Sequence, residues 1–144
     1  MAEHLFSDLK IVEWGSFVSA AFCTKLMADF GAEVIKVEPP AVGDEARQHG
    51  PFPNDIPDGE KSGLFLYLNT NKYGVTLDPS KATGRELFLK LIGTADVLVH
   101  NYPTLLTKRL KLDFNSLKKI NPSRVRVHVI NPQPPVESTT QQAK

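Results

Sequence analysis

The sequence predicts an α/β fold, a mainly parallel sheet with flanking helices, and three observations predict it. Short runs rich in β-branched and apolar residues recur along the chain, as in "LKIVEW", "EVIKV" and "DVLVHN", and such runs suit strands buried in a sheet. Between them lie longer segments with the 3.6-residue apolar stripe of helices packed on a sheet, joined by short connections. Glycine or proline stands where several of these segments must stop. With 144 residues, 41% hydrophobic and 23% charged, the chain is long enough for one domain with its own core and too apolar for disorder.

Taken in order, "LKIVEW" (Leu9 to Trp14) is the first strand, and Gly15 and Ser16 break it. "FVSAAFCTKLMADF" is a helix whose apolar set is Phe17, Ala20, Ala21, Phe22, Met27 and Phe30, with Gly31 as its left-handed stop. "EVIKV" is the second strand, and Glu38 follows it directly before Pro39 and Pro40. Strand, helix and strand with short joints form a βαβ unit. From Pro39 to Gly63 the chain is dense in proline and glycine with little periodicity, which predicts a long loop, and such loops are often functional. "LFLYLN" has the look of a buried run, and "YGVTLD" alternates like a strand.

Asp78, Pro79 and Ser80 open the next helix, with Thr83 and Glu86 as a capping box one turn in and Leu87, Phe88, Leu91 and Ile92 as its apolar face. "DVLVHN" is a further strand, Thr104 to Leu110 a short helix, and "DFNSLKKIN" a helix capped by Asp113 with a Leu117 and Ile120 face. "RVRVHVI" is the final strand, its alternating charges fitting one wet face or a guarded edge. From Asn131 the chain is proline-rich and polar, so the sequence divides into a domain over residues 1–130 and a flexible tail over 131–144.

The bulk chemistry excludes several classes. A net charge of +1 gives no reason to expect nucleic acid or an acidic membrane as partner, and no apolar run approaches a membrane span. The single cysteine, Cys23, excludes an internal disulfide framework and, with no signal peptide at the N-terminus, suits a cytoplasmic setting. The four histidines are scattered without metal-ligand spacing, so no metal is expected.

In a parallel sheet the informative residues follow the strands, because ligands bind at the strands' carboxyl ends. After the first strand only Gly15 is present, where a dinucleotide fingerprint needs three spaced glycines; no Walker-type loop occurs either. Glu38 either holds a ribose hydroxyl or pairs locally as a loop carboxylate. "LNTNK" (Leu68 to Lys72) offers two amides and a cation, which suit a phosphate-bearing ligand or, equally, a turn held by asparagine. Asn101 stands at a strand end, and Arg109, about two helical turns onward, offers a planar fork for phosphate or a solvated surface charge.

These segments, in register, resemble the N-terminal part of the family III CoA-transferases, a family that includes formyl-CoA transferase, carnitine CoA-transferase and α-methylacyl-CoA racemase. "LKIVEWGSFVSAAFCTKLMADFGAEVIKVEPP" is similar to the family's opening strand, helix and strand, and "GDEARQHGP" to its following loop. "LNTNKYGVTLD" resembles its asparagine-rich strand pair, "GRELFLKLIGTADVLVHNY" its next helix and Asn-aromatic turn, and "LDFNSLKKINP" the helix after that. The similarity runs from about Leu9 to Arg124. It departs at Ala20-Ala21, where the family often has Gly-Pro, and at Pro39, where several members have an arginine.

The resemblance implies a Rossmann-like domain that binds coenzyme A or an acyl-CoA. Carried over by position, the contacting candidates are Phe17, Val18 and Ser19; Leu68, Asn69, Thr70, Asn71 and Lys72; Asn101, Tyr102 and Pro103; and Arg109. It implies that the transferases' nucleophilic aspartate lies beyond the matched stretch, so no catalytic residue is assigned and this chain is not expected to transfer CoA alone. It also implies assembly, as a homo-oligomer or as a subunit docked on a longer partner chain that brings the aspartate. A nucleotide-binding α/β domain unrelated to CoA is the remaining alternative.

Overall fold

The computed structural model describes residues 5–122 and a strand at 126–129. The sheet has five strands, β1 (Lys10–Trp14), β2 (Glu33–Glu38), β3 (Tyr73–Thr76), β4 (Val97–His100) and β5 (Arg126–Val129), in the order β3-β2-β1-β4-β5. Every neighbouring pair is parallel, with Ile11 beside Val34 on one side and beside Val97 on the other. Helices α1 (Ser19–Asp29), α2 (Gly63–Leu68), α3 (Ala82–Thr94), α4 (Thr104–Arg109) and α5 (Phe114–Lys118) connect the strands. The order runs outward from β1 in both directions, so the chain reverses its direction of travel between β1 and β4, and the crevice at such a reversal is where parallel sheets bind ligands.

The alternation of each strand sorts the residues onto two faces. Ile11, Val34 and Val99 pack with Ala20, Ala28 and Ala32 on the α1 face. Val12, Trp14, Val37 and Leu98 pack with Phe88, Ile92, Leu112 and Leu117 of the opposite helical layer. Burying a leucine or phenylalanine in such a layer stabilises the fold by roughly 1.5–3 kcal/mol each. Gly31, at φ 99°, ends α1 in a conformation that costs other residues strain. Asp113 caps α5 by accepting from the N–H groups of Asn115 and Ser116.

Several local expectations need correction. "LFLYL" is helix α2 and not a buried run; Leu68 alone of it is fully buried, whereas Leu66 and Tyr67 are exposed. The Thr83–Glu86 capping box does not form, since Thr83 lies inside α3, whose N-cap is Lys81 and makes no side-chain cap bond, and Leu87 faces outward. The buried face of α1 is made of Ala20, Ala21, Thr24 and Ala28, while Phe22 and Phe30 are exposed. Small residues seat this helix closely on the sheet, so its bulky ones point away. Ile120 is likewise exposed. The long loop contains two 3-10 turns, Glu45–Gln48 and Pro53–Asp55. The expected tail at 131–144 lies outside the described residues.

Candidate functional site

At the reversal between β1 and β4 the structure opens a cavity of about 360 Å³ lined by Ser16, Phe17, Val18, Ser19, Glu45, Asn101, Tyr102 and Pro103. Two loops build it, one leaving β1 into α1 and one leaving β4 into α4. Asn101 ties them together. Its Oδ1 accepts from Ser16 N–H at 3.0 Å, and its Nδ2 donates to Ser16 O at 2.7 Å and to Ser19 Oγ at 3.0 Å. Gly15 is required beside this clamp, because a Cβ there would lie 2.6 Å from Ala20 Cβ and 2.8 Å from Asn101 Oδ1.

Phe17 sits at φ 64°, the left-handed region, which costs a non-glycine residue roughly 1–2 kcal/mol. Its N–H donates to Asp44 Oδ1 at 3.0 Å, and its ring stands 4.9 Å from the His49 ring. The N-cap of α1 is Val18, whose side chain makes no cap bond, and the helix begins at the cavity wall. Among the described residues no lysine or arginine lines the cavity and Glu45 does, so the favourable partial charge for an anion there is that of the helix start. Tyr102 also forms the wall of a neighbouring slot of about 180 Å³ that includes Trp14, Pro39, Leu77, Pro79 and Leu106. The Trp14 and Tyr102 rings are 4.6 Å apart, and burial pushes the Tyr102 phenol above its ordinary pKa.

Beneath the cavity lies a buried charge network on the α1 face of the sheet. Lys36 Nζ stands 2.6 Å from Glu13 Oε1 and 2.6 Å from Asp44 Oδ2. Lys72 Nζ donates to Glu13 Oε2 at 2.8 Å, to Ala21 O at 2.7 Å and to Asn69 Oδ1 at 3.0 Å, and Thr24 Oγ1 donates to Glu13 Oε2 at 2.6 Å. Burial pushes the Glu13 carboxyl up, but the ammonium groups of Lys36 and Lys72 outweigh it and hold the carboxyl below its ordinary value. Burial likewise opposes the charge on Lys36, and Glu13 and Asp44 outweigh it to raise that group. For Lys72 burial prevails and lowers it.

The structure brings six of the expected contact residues to one cavity: Phe17, Val18, Ser19, Asn101, Tyr102 and Pro103. The segment at Leu68 to Lys72 goes elsewhere. Leu68 is a core residue beside Ala21 and Ala46. Asn69 and Thr70 bond back to carbonyls of α2, and Asn71 Nδ2 donates to Asp29. Asn71 and Lys72 border a hollow with Gly31, Ala32 and Glu33, at the amino ends of the strands. Arg109 is exposed at the end of α4 and does not line the cavity. Of the two roles open to Glu38, local pairing is the observed one: Arg47 grips it with Nε at 2.7 Å and Nη2 at 2.9 Å, and Asp44 N–H donates to it at 2.9 Å.

Sequence reasoning missed Ser16, Glu45 and Asp44. The first two could have been found as neighbours of a strand end and of a loop already singled out. Asp44 carried a weaker signal, an acid before a short helical turn, where an Asx cap is common.

A family model described as CoA-transferase family III matches residues 6–131. An acyl-CoA transferase of Fusarium pseudograminearum is 38% identical over 120 residues, covering 81% of this chain and 26% of the relative. A formyl-CoA:oxalate CoA-transferase of Afipia carboxidovorans is 36% identical over 119 residues, covering 83% of this chain and 27% of the relative. Among solved structures, a CAIB/BAIF family protein from Brucella suis superposes with a TM-score of 0.73 at 32% identity, covering 83% of this chain and 31% of that one. The chain thus spans about a quarter to a third of the length of these proteins.

Proposed function

The chain belongs to CoA-transferase family III, and from that premise we propose that it binds coenzyme A or an acyl-CoA at the cavity between β1 and β4. One observation carries this reading: the two loops that meet at the chain reversal, tied by Asn101, form a concave site at the start of α1. A helix start is suited to an anionic group such as the coenzyme's pyrophosphate. The adjoining slot between Trp14, Tyr102 and Leu77 offers apolar walls for an adenine. Phe17, Val18, Ser19, Asn101, Tyr102 and Pro103 are the contacts of this proposal. Asn69 and Lys72 support the fold through the buried network around Glu13, Asn71 does so through Asp29, and Arg109 is a peripheral phosphate contact in this reading.

In this reading the described residues bind the coenzyme and do not by themselves transfer it. Asp44 and Glu38 are engaged with backbone N–H groups, Lys36 and Arg47, and no other group is assigned as acyl acceptor. The relatives named above are CoA-transferases about three times as long, and transfer by this chain would need groups outside the described residues.

Isothermal titration of the full chain with CoA tests the reading. Binding that is competed by ADP and by pantetheine supports a coenzyme site with both ends engaged. Competition by ADP alone favours a plain nucleotide site, and no heat and no thermal shift in excess CoA overturns the proposal.

A second reading, docking on a partner chain or on a second copy, is favoured by a separate observation. Phe22 and Leu26 of α1, Phe30 at its C-cap, Leu66 and Tyr67 of α2 and Tyr73 of the edge strand β3 are all exposed. Light scattering at micromolar concentration checks it, and a strictly monomeric chain would remove the second-copy form of it.

A further inference from the structure

The long loop after β2 touches the candidate site at three places. Asp44 Oδ1 accepts the Phe17 N–H at 3.0 Å, Glu45 N–H donates to Ser16 Oγ at 3.2 Å, and the His49 ring stands 4.9 Å from the Phe17 ring. Asp44 is the anchor of this contact. It is 1% exposed, it caps its own helical turn by accepting from Ala46 N–H at 2.7 Å, and its N–H donates to Glu38. Its second oxygen lies 2.6 Å from Lys36 Nζ, and Lys36 is itself held by Glu13 of β1. A carboxylate fixed from three directions therefore ends on the amide of the residue that turns the chain from β1 into α1, and that residue stands in a left-handed conformation that phenylalanine does not favour.

We propose that Asp44 is the positioning residue of the coenzyme cavity: it holds Phe17 in its left-handed turn, and with it the start of α1, in the geometry that receives the ligand. Lys36 serves the same end one step back, by fixing the carboxylate that accepts the Phe17 N–H. Glu13 connects this assembly to the middle of the sheet, so the cavity wall is tied to the most buried part of the fold. Asp44 itself is not among the residues that line the cavity, and its effect on a ligand is exerted through Phe17. The inference rests on the CoA reading given above for its ligand, but its geometric half does not.

Two measurements on the full chain separate the two. The first is amide hydrogen exchange at Phe17. In the native chain it is slow for a loop amide; in Asp44→Ala it speeds up, and in the double variant Asp44→Asn with Lys36→Met it is slow again, since the asparagine oxygen still accepts while the methionine removes the ammonium that would otherwise face the asparagine NH2 group. The second is CoA affinity by titration. Asp44→Ala loses about tenfold or more, the effect of removing one charge-assisted hydrogen bond, and the double variant recovers to within about threefold of the native chain although its stability falls. A role in stability alone predicts that affinity follows stability, so a double variant as weak as Asp44→Ala overturns the proposal. So does a native Phe17 amide that exchanges like an open loop, which can be read even if Asp44→Ala does not fold. A native chain that ignores CoA overturns the coenzyme reading instead, and the exchange data still decide whether Asp44 holds Phe17.

Discussion

The loops at 15–19 and 101–103 and the segment at 68–72 carry similar residues, asparagines and small or apolar neighbours beside a strand, yet they do opposite things. In the first pair of loops the amide of Asn101 bridges two separate connections and leaves a concave wall between them. In the second, Asn69 bonds back to its own helix, Asn71 reaches Asp29 at the end of α1, and Lys72 reaches 51 residues back to Ala21 O and 59 back to Glu13. The difference lies in position on the sheet. The first pair of loops leaves the carboxyl ends of adjacent strands that run to opposite sides, and a gap there is unavoidable. The other segment enters β3 at its amino end, where the chain closes over α1 and polar groups find partners within the protein. Amides and a cation therefore mark a ligand site only when the topology leaves them facing one.

The largest effect is expected where the two regions meet, at Glu13. Glu13→Ala leaves Lys36 and Lys72 buried without their shared carboxylate, and removing one member of a buried ionic group costs about 3–5 kcal/mol. Urea denaturation measures it, and a loss below about 1 kcal/mol would mean that the network does not hold the two regions together. Acid reads the same network. The folded-state values of Glu13 and Glu38 lie below their ordinary 4.5, so the stability they contribute is present above that pH and is lost as pH falls through the folded values. The urea midpoint is therefore expected to hold from pH 7 to about 5 and then to fall. A midpoint that rises on acidification contradicts the sign.

The frame of the fold was legible because its signals are collective. β-branched runs at "KIV", "EVIKV" and "VLV" and the short joints between them specify strands whatever the details, and the Asp113 cap was readable from one residue. What failed was of another kind. "LFLYL" is apolar enough for strand or helix, and only Ser62, whose Oγ accepts from Phe65 N–H, decides for the helix. Phe22 and Phe30 were assigned inward because they are large, whereas close seating on the sheet selected the alanines. Within the site, strand-end position pointed to Phe17 and Asn101, but nothing local marks Phe17 for a left-handed turn or Asp44 as the acceptor that holds it 27 residues away.

A paired comparison of intermediate size follows. Lys72→Met removes three hydrogen bonds but leaves Glu13 with Lys36, so a loss of about 1–3 kcal/mol in stability is expected with CoA affinity within about twofold of the native chain. Asn101→Ala frees the two loops from each other, and its larger effect is expected in affinity, about tenfold, with a stability loss near 1 kcal/mol. Urea denaturation and CoA titration on both variants give four values. An exchange of the pattern, with Lys72→Met weakening CoA more than Asn101→Ala, would return the 68–72 segment to the coenzyme site.

The smallest effect is expected at Arg109. It is exposed on α4, outside the cavity lining, and an exposed cation acting on a phosphate through solvent contributes about 1 kcal/mol or less. Arg109→Ala is accordingly expected to leave the urea midpoint unchanged and to weaken CoA by no more than about fivefold at low salt. At about 0.15 M salt the Debye length is near 8 Å and the difference should shrink towards nothing. Because no lysine or arginine among the described residues lines the cavity, the salt dependence of the native chain should be shallow as well. A steep loss of CoA affinity with salt, abolished in Arg109→Ala, would shift the phosphate-binding end of the site from the start of α1 to the end of α4.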